Sequence, residues 1–213
     1  MAIRAYDEDY LPYAQRILGD MLDFAVNTYE IDIDQFFGMF LVSDVSRQFQ
    51  NGNPTYIAGK TGCELTKEVL RDSGKDWSEH PDAMYLDKSP EYWCGWALAF
   101  YQWYTSRSFS KINHAIKPSD ILQMYPLFHE MDITHFVEEM NSRWSQYYTD
   151  TNLKRLRKTA GLSQRELSEL SEVSLRQIQL FEQRKRDINH CRSIDLFRLS
   201  KILACKVEDL LEI

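Results

Sequence analysis

The sequence predicts an all-α protein in two parts: a helical N-terminal domain and a C-terminal domain of short helices. Three observations carry this. Apolar residues recur three and four apart along successive stretches, and no stretch shows the alternation of a strand. Helix-start signatures recur, at Ser89-Pro90-Glu91, Ser163-Gln-Arg-Glu166 and Ser174-Leu-Arg-Gln177, each placing a capping hydroxyl ahead of an apolar run. Charge is divided along the chain. Residues 1–150 hold 12 Lys/Arg against 23 Asp/Glu, a net −11, whereas residues 151–213 hold 13 against 9, a net +4. The positive excess lies in residues 151–186, with nine basic and four acidic side chains. That asymmetry separates a phosphate-facing module from an acidic body and places the domains at 1–148 and 151–213.

In the N-terminal part, residues 6–29 carry a helical stripe of Leu11, Ala14, Ile17, Leu18, Met21, Leu22, Ala25 and Val26. Ile31-Asp-Ile-Asp34 caps a second helix over 35–49, with Phe36, Phe37, Phe40, Leu41 and Val45 as its face. Asn51-Gly-Asn-Pro54 is a turn. A third helix is expected over 63–72, then a polar loop to Lys88 with a short turn at 82–85. Ser89-Pro90-Glu91 supplies cap, first-position proline and first-turn acid to a helix over 92–105. Trp93, Trp96, Phe100, Trp103 and Tyr104 surround most of it, while Gly95, Ala97 and Ala99 allow close approach of a neighbour. A helix apolar all round is buried, which makes this the expected central helix. Short helices follow over 108–115 and 119–131, the latter kinked or stopped at Pro126. Asp132 caps a last helix with Ile133, Phe136, Val137, Met140, Trp144, Tyr147 and Tyr148 as its stripe. The link over 149–151 is too short for a flexible tether. No internal repeat or low-complexity segment occurs.

In the C-terminal part, Leu153 and Leu156 mark the inner face of a first helix that Gly161 stops. Ser163 and Glu166 form a capping box, hydroxyl to the N3 amide and carboxylate back to the cap amide. Leu167 and Leu170 are the apolar positions of the helix it opens. Glu172-Val173 make a turn, and Ser174 with Gln177 opens the next helix as a second box, with Ile178 and Phe181 inward. Two capped helices joined by a tight turn form a helix-turn-helix, whose second helix can lie in the major groove of DNA.

These residues resemble the Xre/Cro-type family of bacterial DNA-binding regulators, and the resemblance implies a five-helix domain. The resemblance rests on Leu153-Lys-Arg-Leu156-Arg, Gly161-Leu-Ser-Gln164, Glu166-Leu167, Val173-Ser174, Ile178, Glu182 and Val207-Glu-Asp-Leu-Leu211, about the last third of the chain. Where the family usually carries glycine in the turn, at positive φ, this chain has Glu172. The usual glycine after the recognition helix is Arg184, and the loop 184–193 is longer than typical. The resemblance and the helix geometry agree on the expected DNA contacts. Ser174, Leu175, Arg176, Gln177 and Gln179 lie where base edges are reached, and Arg176 leads because its fork matches guanine O6/N7. Gln177 is discounted, since the capping box engages it. Gln164 resembles the family's phosphate contact, and Arg155, Arg184, Lys185 and Arg186 are further phosphate candidates.

Other motifs are weaker. Ala58-Gly-Lys-Thr61 lacks the four-residue spacing between glycines that a phosphate loop needs, since six residues part Gly52 from Gly59. His80, His114, His129, His135 and His190 show no metal-ligand spacing, and His190-Cys191 is adjacent, so no metal or cofactor is expected. No nucleophilic triad is legible, and no enzyme activity is expected. The aromatic helix could line a ligand pocket or partner groove, but ordinary core packing is the stronger reading. No apolar run approaches 18–20 residues, so no membrane span is expected. The N-terminus lacks the apolar core of a signal peptide. Cys63, Cys94, Cys191 and Cys205 lack C-x-x-C spacing and read as reduced thiols of a cytoplasmic protein.

The resulting expectation is a sequence-specific transcriptional regulator, a repressor, binding double-stranded DNA as a homodimer. Its acidic domain would supply dimerisation, a partner surface or an effector site. The alternative is an antitoxin that neutralises a co-encoded toxin through its N-terminal domain and represses its own operon. An enzyme with a DNA-targeting tail ranks behind both.

Overall fold

The computed structural model describes residues 4–74, 77–83 and 87–212. These are helical throughout, with no strand among the described residues. The turn expected at 82–85 lies partly outside them. The chain divides into two compact units, Met1–Ser145 and Gln146–Ile213. No helix among the described residues is long and apolar enough to cross a membrane.

The first unit is built on α1 (Leu11–Asn27), which follows a 3-10 turn at Glu8–Tyr10. Next come α2 (Ile33–Val42), α3 (Asp44–Gln50), a π turn at Thr55–Gly59, and α4 (Gly62–Asp72). Then follow α5 (Pro90–Thr105), α6 (Phe109–Ala115), α7 (Pro118–Leu122), α8 (Tyr125–Phe128) and α9 (Ile133–Tyr147). The two principal helices, α1 and α5, meet backbone to backbone. A Cβ on Gly95 would stand 2.3 Å from the Leu18 carbonyl oxygen, and one on Gly19 would stand 2.8 Å from the Tyr92 ring. Only glycine permits that approach. Behind them Phe40 packs edge-on against Phe109, ring centres 5.3 Å apart, with Phe37 and Phe49 completing the cluster.

Several elements differ from expectation. The helix over 35–49 is two helices, because Ser43 turns to an extended backbone. Its hydroxyl donates to the Phe40 carbonyl at 2.7 Å and accepts from the Ser46 amide at 3.4 Å, so one residue ends α2 and caps α3. The helix over 119–131 also divides, but α7 ends before Pro126, which lies in the first turn of α8 where its missing N–H costs nothing. The α5 helix is not buried all round. Cys94, Gly95, Ala97, Leu98, Ala99, Tyr101 and Trp103 are buried, while Tyr92, Trp93, Trp96 and Phe100 are half-buried and Tyr104 is exposed. On α9 the buried stripe ends at Trp144, and Tyr147 is 56% exposed.

The second unit holds α10 (Asn152–Thr159), α11 (Gln164–Ser171), α12 (Leu175–Glu182) and α13 (Ser193–Ile202), with 3-10 turns at Ile188–His190 and Val207–Leu210. Four α-helices are therefore present among the described residues. The fifth expected one is a single turn, closed by the Asp209 carboxylate on the Lys206 amide at 3.0 Å and anchored by buried Leu210. The core joins Leu153, Leu167, Val173, Ile178, Phe181, Leu196, Leu199 and Leu210. Leu170 is 56% exposed, contrary to expectation. From α11 the core is reached instead by Leu167 and by Ser171 four residues on, whose hydroxyl is absorbed by the Leu167 carbonyl at 2.6 Å. The four free thiols divide between the units, Cys63 and Cys94 buried in the first and Cys191 and Cys205 half-buried in the second.

Candidate nucleic-acid interface

The start of α11 is fixed by its local sequence. Ser163 Oγ accepts the Glu166 amide at 3.2 Å and Glu166 returns to accept the Ser163 amide at 2.7 Å. The Ser163 amide, and after it the Ser163 side chain, bonds to the charged form and holds the Glu166 carboxyl below its usual value. The turn after α11 is carried by Glu172 in the left-handed region, φ 55°, and Arg184 adopts φ 53° after α12. Both are the positions where glycine would be the unstrained residue. Between the helices Ser168 Oγ donates to the Val173 carbonyl at 2.7 Å, which ties the turn back to α11.

The cap of α12 is half the expected box. Ser174 Oγ accepts the Gln177 amide at 3.3 Å, but its hydroxyl proton goes to Gln177 Oε1 at 3.1 Å, so the glutamine does not return to the cap amide. Either way the Gln177 side chain is engaged. Leu175 and Gln179 are half-buried and Arg176 is exposed. Arg176 and Gln179, three apart, share the side of α12 away from the buried Ile178 and Phe181. Arg176 forms no ion pair among the described residues.

A charged cluster that the sequence reading missed holds α12 from behind. Arg157 of α10 grips Glu182 at the end of α12 in a two-pronged pair, Nε to Oε1 at 2.6 Å and Nη2 to Oε2 at 2.9 Å. Its third donor, Nη1, reaches the Leu162 carbonyl at 2.6 Å. Gln164 Nε2 donates to the same carboxylate at 2.7 Å. The Arg157 and Glu182 side chains are only 11% and 2% exposed. One carboxylate thus ties together α10, the first turn of α11 and the last turn of α12, with charge-assisted bonds that water cannot replace at that depth.

The phosphate candidates separate. Gln164 has its amide committed to Glu182. Arg184 is exposed but committed, its guanidinium donating to the carbonyls of Tyr148 at 2.7 Å and Thr149 at 3.2 Å, with Glu212 at 3.8 Å. Arg155 is exposed and donates to Asn152 Oδ1 at 3.1 Å. Lys185 is exposed without an ion pair among the described residues, and Arg186 is exposed with its guanidinium 5.8 Å from the Phe181 ring centre. Arg165, beside Gln164 in the first turn of α11, is a further exposed cation that the sequence reading passed over. At the start of the unit, Lys154 and Lys158 clamp Asp150 at 2.5 and 2.7 Å, and their bonds lower its pKa to about 2. Comparison with family models, curated proteins and solved structures gave no match.

Proposed function

We propose that this chain is a sequence-specific DNA-binding transcriptional regulator acting as a repressor. In this reading α11 and α12 form an Xre-type helix-turn-helix and α12 enters the major groove. The supporting observation is the two-sidedness of α12. Its inner face is locked by Ile178, Phe181 and the buried Glu182 cluster, while Arg176 projects outward uncommitted, with Gln179 on the same side. A rigidly held helix with an open arginine fork is what direct readout requires. The cations Arg155, Arg165, Lys185 and Arg186 supply the sequence-independent attraction to phosphate.

The test is selection of duplexes from a random pool by the full chain, followed by affinity measurement across a salt series. A recovered consensus should bind more tightly than scrambled DNA, with log affinity falling linearly against log salt. Failure to retain any duplex, or salt-independent binding, would overturn the reading.

A further inference from the structure

We propose that the first unit binds a flat aromatic small molecule carrying a negative charge, in a cleft beside the N-terminal half of α5. The cleft has a volume of about 440 Å³. That falls within the range of small-molecule sites, and the inference is independent of the DNA-binding reading. Its walls are Tyr92, Trp93, Trp96, Tyr125, Phe128 and His129.

The N-terminal half of α5 leaves bulky aromatics partly open. It buries Cys94, Gly95, Ala97, Leu98 and Ala99, while Tyr92, Trp93 and Trp96 stay half-exposed; farther along the helix Tyr101 and Trp103 are buried. Keeping two indoles partly in water on a helix whose other face is packed forgoes apolar burial, and converging aromatic surface of this kind marks a binding site. The wall is also held in place. Trp93 is fixed edge-on between Tyr125 and Phe136, ring centres 5.6 and 5.5 Å away. His129 stacks on Tyr125 at 4.4 Å and its Nδ1 lies 2.8 Å from the Tyr125 carbonyl, so that nitrogen carries the proton and donates. A flat ring can therefore enter a pre-shaped slot without ordering its walls, which favours planar aromatic ligands over flexible aliphatic ones.

The sign of the charge follows from the rim. No carboxylate lines the cleft among the described residues, whereas Lys88 does. The Lys88 ammonium lies 4.1 Å from the Tyr92 ring centre and donates to Asp20 Oδ1 at 3.0 Å. An ammonium has three donors, so a ligand carboxylate can share it with Asp20.

The experiment titrates the full chain, without DNA, with naphthoate, with neutral naphthylmethanol and with cyclohexanecarboxylate, by calorimetry and tryptophan fluorescence. Naphthoate should bind at one site and more tightly than both comparators, the first lacking the charge and the second the flat ring. Trp96→Ala should weaken naphthoate about tenfold, a loss of ~1.4 kcal/mol. Lys88→Gln should abolish the preference for naphthoate over naphthylmethanol. Lys88 is on the rim, so that variant remains decisive if Trp96→Ala fails to fold. No binding of naphthoate, equal binding of all three probes, or a charge preference that survives Lys88→Gln would each overturn the proposal.

Discussion

At the scale of single residues, the proposed DNA-binding reading gives the two ends of the α12 segment different tasks. Arg176 stands two positions past the Ser174 cap with an uncommitted guanidinium. If it pairs with a guanine, Arg176→Ala should cost about 1–3 kcal/mol at the operator and leave non-specific binding nearly intact. Lys185 lies beyond the helix, and in the proposed reading it would reach phosphates. Lys185→Ala should weaken all duplexes alike and lower the salt slope by about one. Affinities for operator and scrambled DNA over a salt series separate the two. Equal loss by Arg176→Ala on both DNAs, or operator-selective loss by Lys185→Ala, would mean that α12 presents a different face. The exposure of Arg176 was legible in the sequence because exposure on a capped helix follows from local spacing. The commitment of Arg184 was not, since its acceptors at Tyr148 and Thr149 lie more than thirty positions away. Leu170 misled for a related reason: its spacing from Leu167 fits a buried stripe, but on so short a helix the neighbours decide how wide that stripe is.

At the scale of elements, the arrangement of α10, α11 and α12 depends on one buried carboxylate. Removing one member of a buried pair strands the other, so Glu182→Ala should destabilise the second unit by about 3–5 kcal/mol. Chemical denaturation followed by hydrogen exchange at α12 amides would measure this. A loss below about 1 kcal/mol would show that water reaches Arg157 and that the cluster is not a structural lock. The capping serines were readable because a box spans three residues. The break at Ser43 was not, because Phe40 and Val45 continue a helical stripe across it and only the Phe40 carbonyl reveals the interruption.

Another element, the start of α10, responds to acid. The bonds from Lys154 and Lys158 bring the Asp150 pKa to about 2, below the ordinary carboxylate value. A lowered folded-state pKa contributes stability above the unfolded pKa and loses it as pH falls through the folded one. The contribution is therefore intact at neutral pH and lost between about pH 4 and pH 2. Wild type and Asp150→Asn should thus converge in stability over that window, by circular dichroism in urea. A gap that persists unchanged at pH 2 would show that Asp150 is not the titrating group.

At the scale of the whole molecule, the charge division legible in the sequence gives the chain an acidic first part and a basic second part. If α11–α12 acts as the proposed helix-turn-helix, it would meet few bases, and specific affinity should come from two copies on half-sites about 10–10.5 bp apart. Light scattering of the operator complex should show two chains per duplex, and a footprint should cover both half-sites. One chain on a single protected half-site would contradict this. Composition changes sharply near the point where the chain divides into two compact units. The cleft beside α5 was not legible, because spacing on a helix cannot tell a packed aromatic from one left half-open.

The thiols turn the molecule into its own recorder. Cys63 and Cys94 are sealed within the first unit, and burial pushes both upward in pKa, away from the reactive thiolate. Cys191 and Cys205 are half-sealed in the second, also raised by burial. Brief exposure to an alkylating reagent at stepped urea concentrations, read by peptide mass, would time the opening of each unit separately. Since the smaller unit buries a smaller fraction of its surface, Cys191 and Cys205 should be tagged at lower urea than Cys63 and Cys94. Simultaneous tagging of all four would mean that the chain melts as one body.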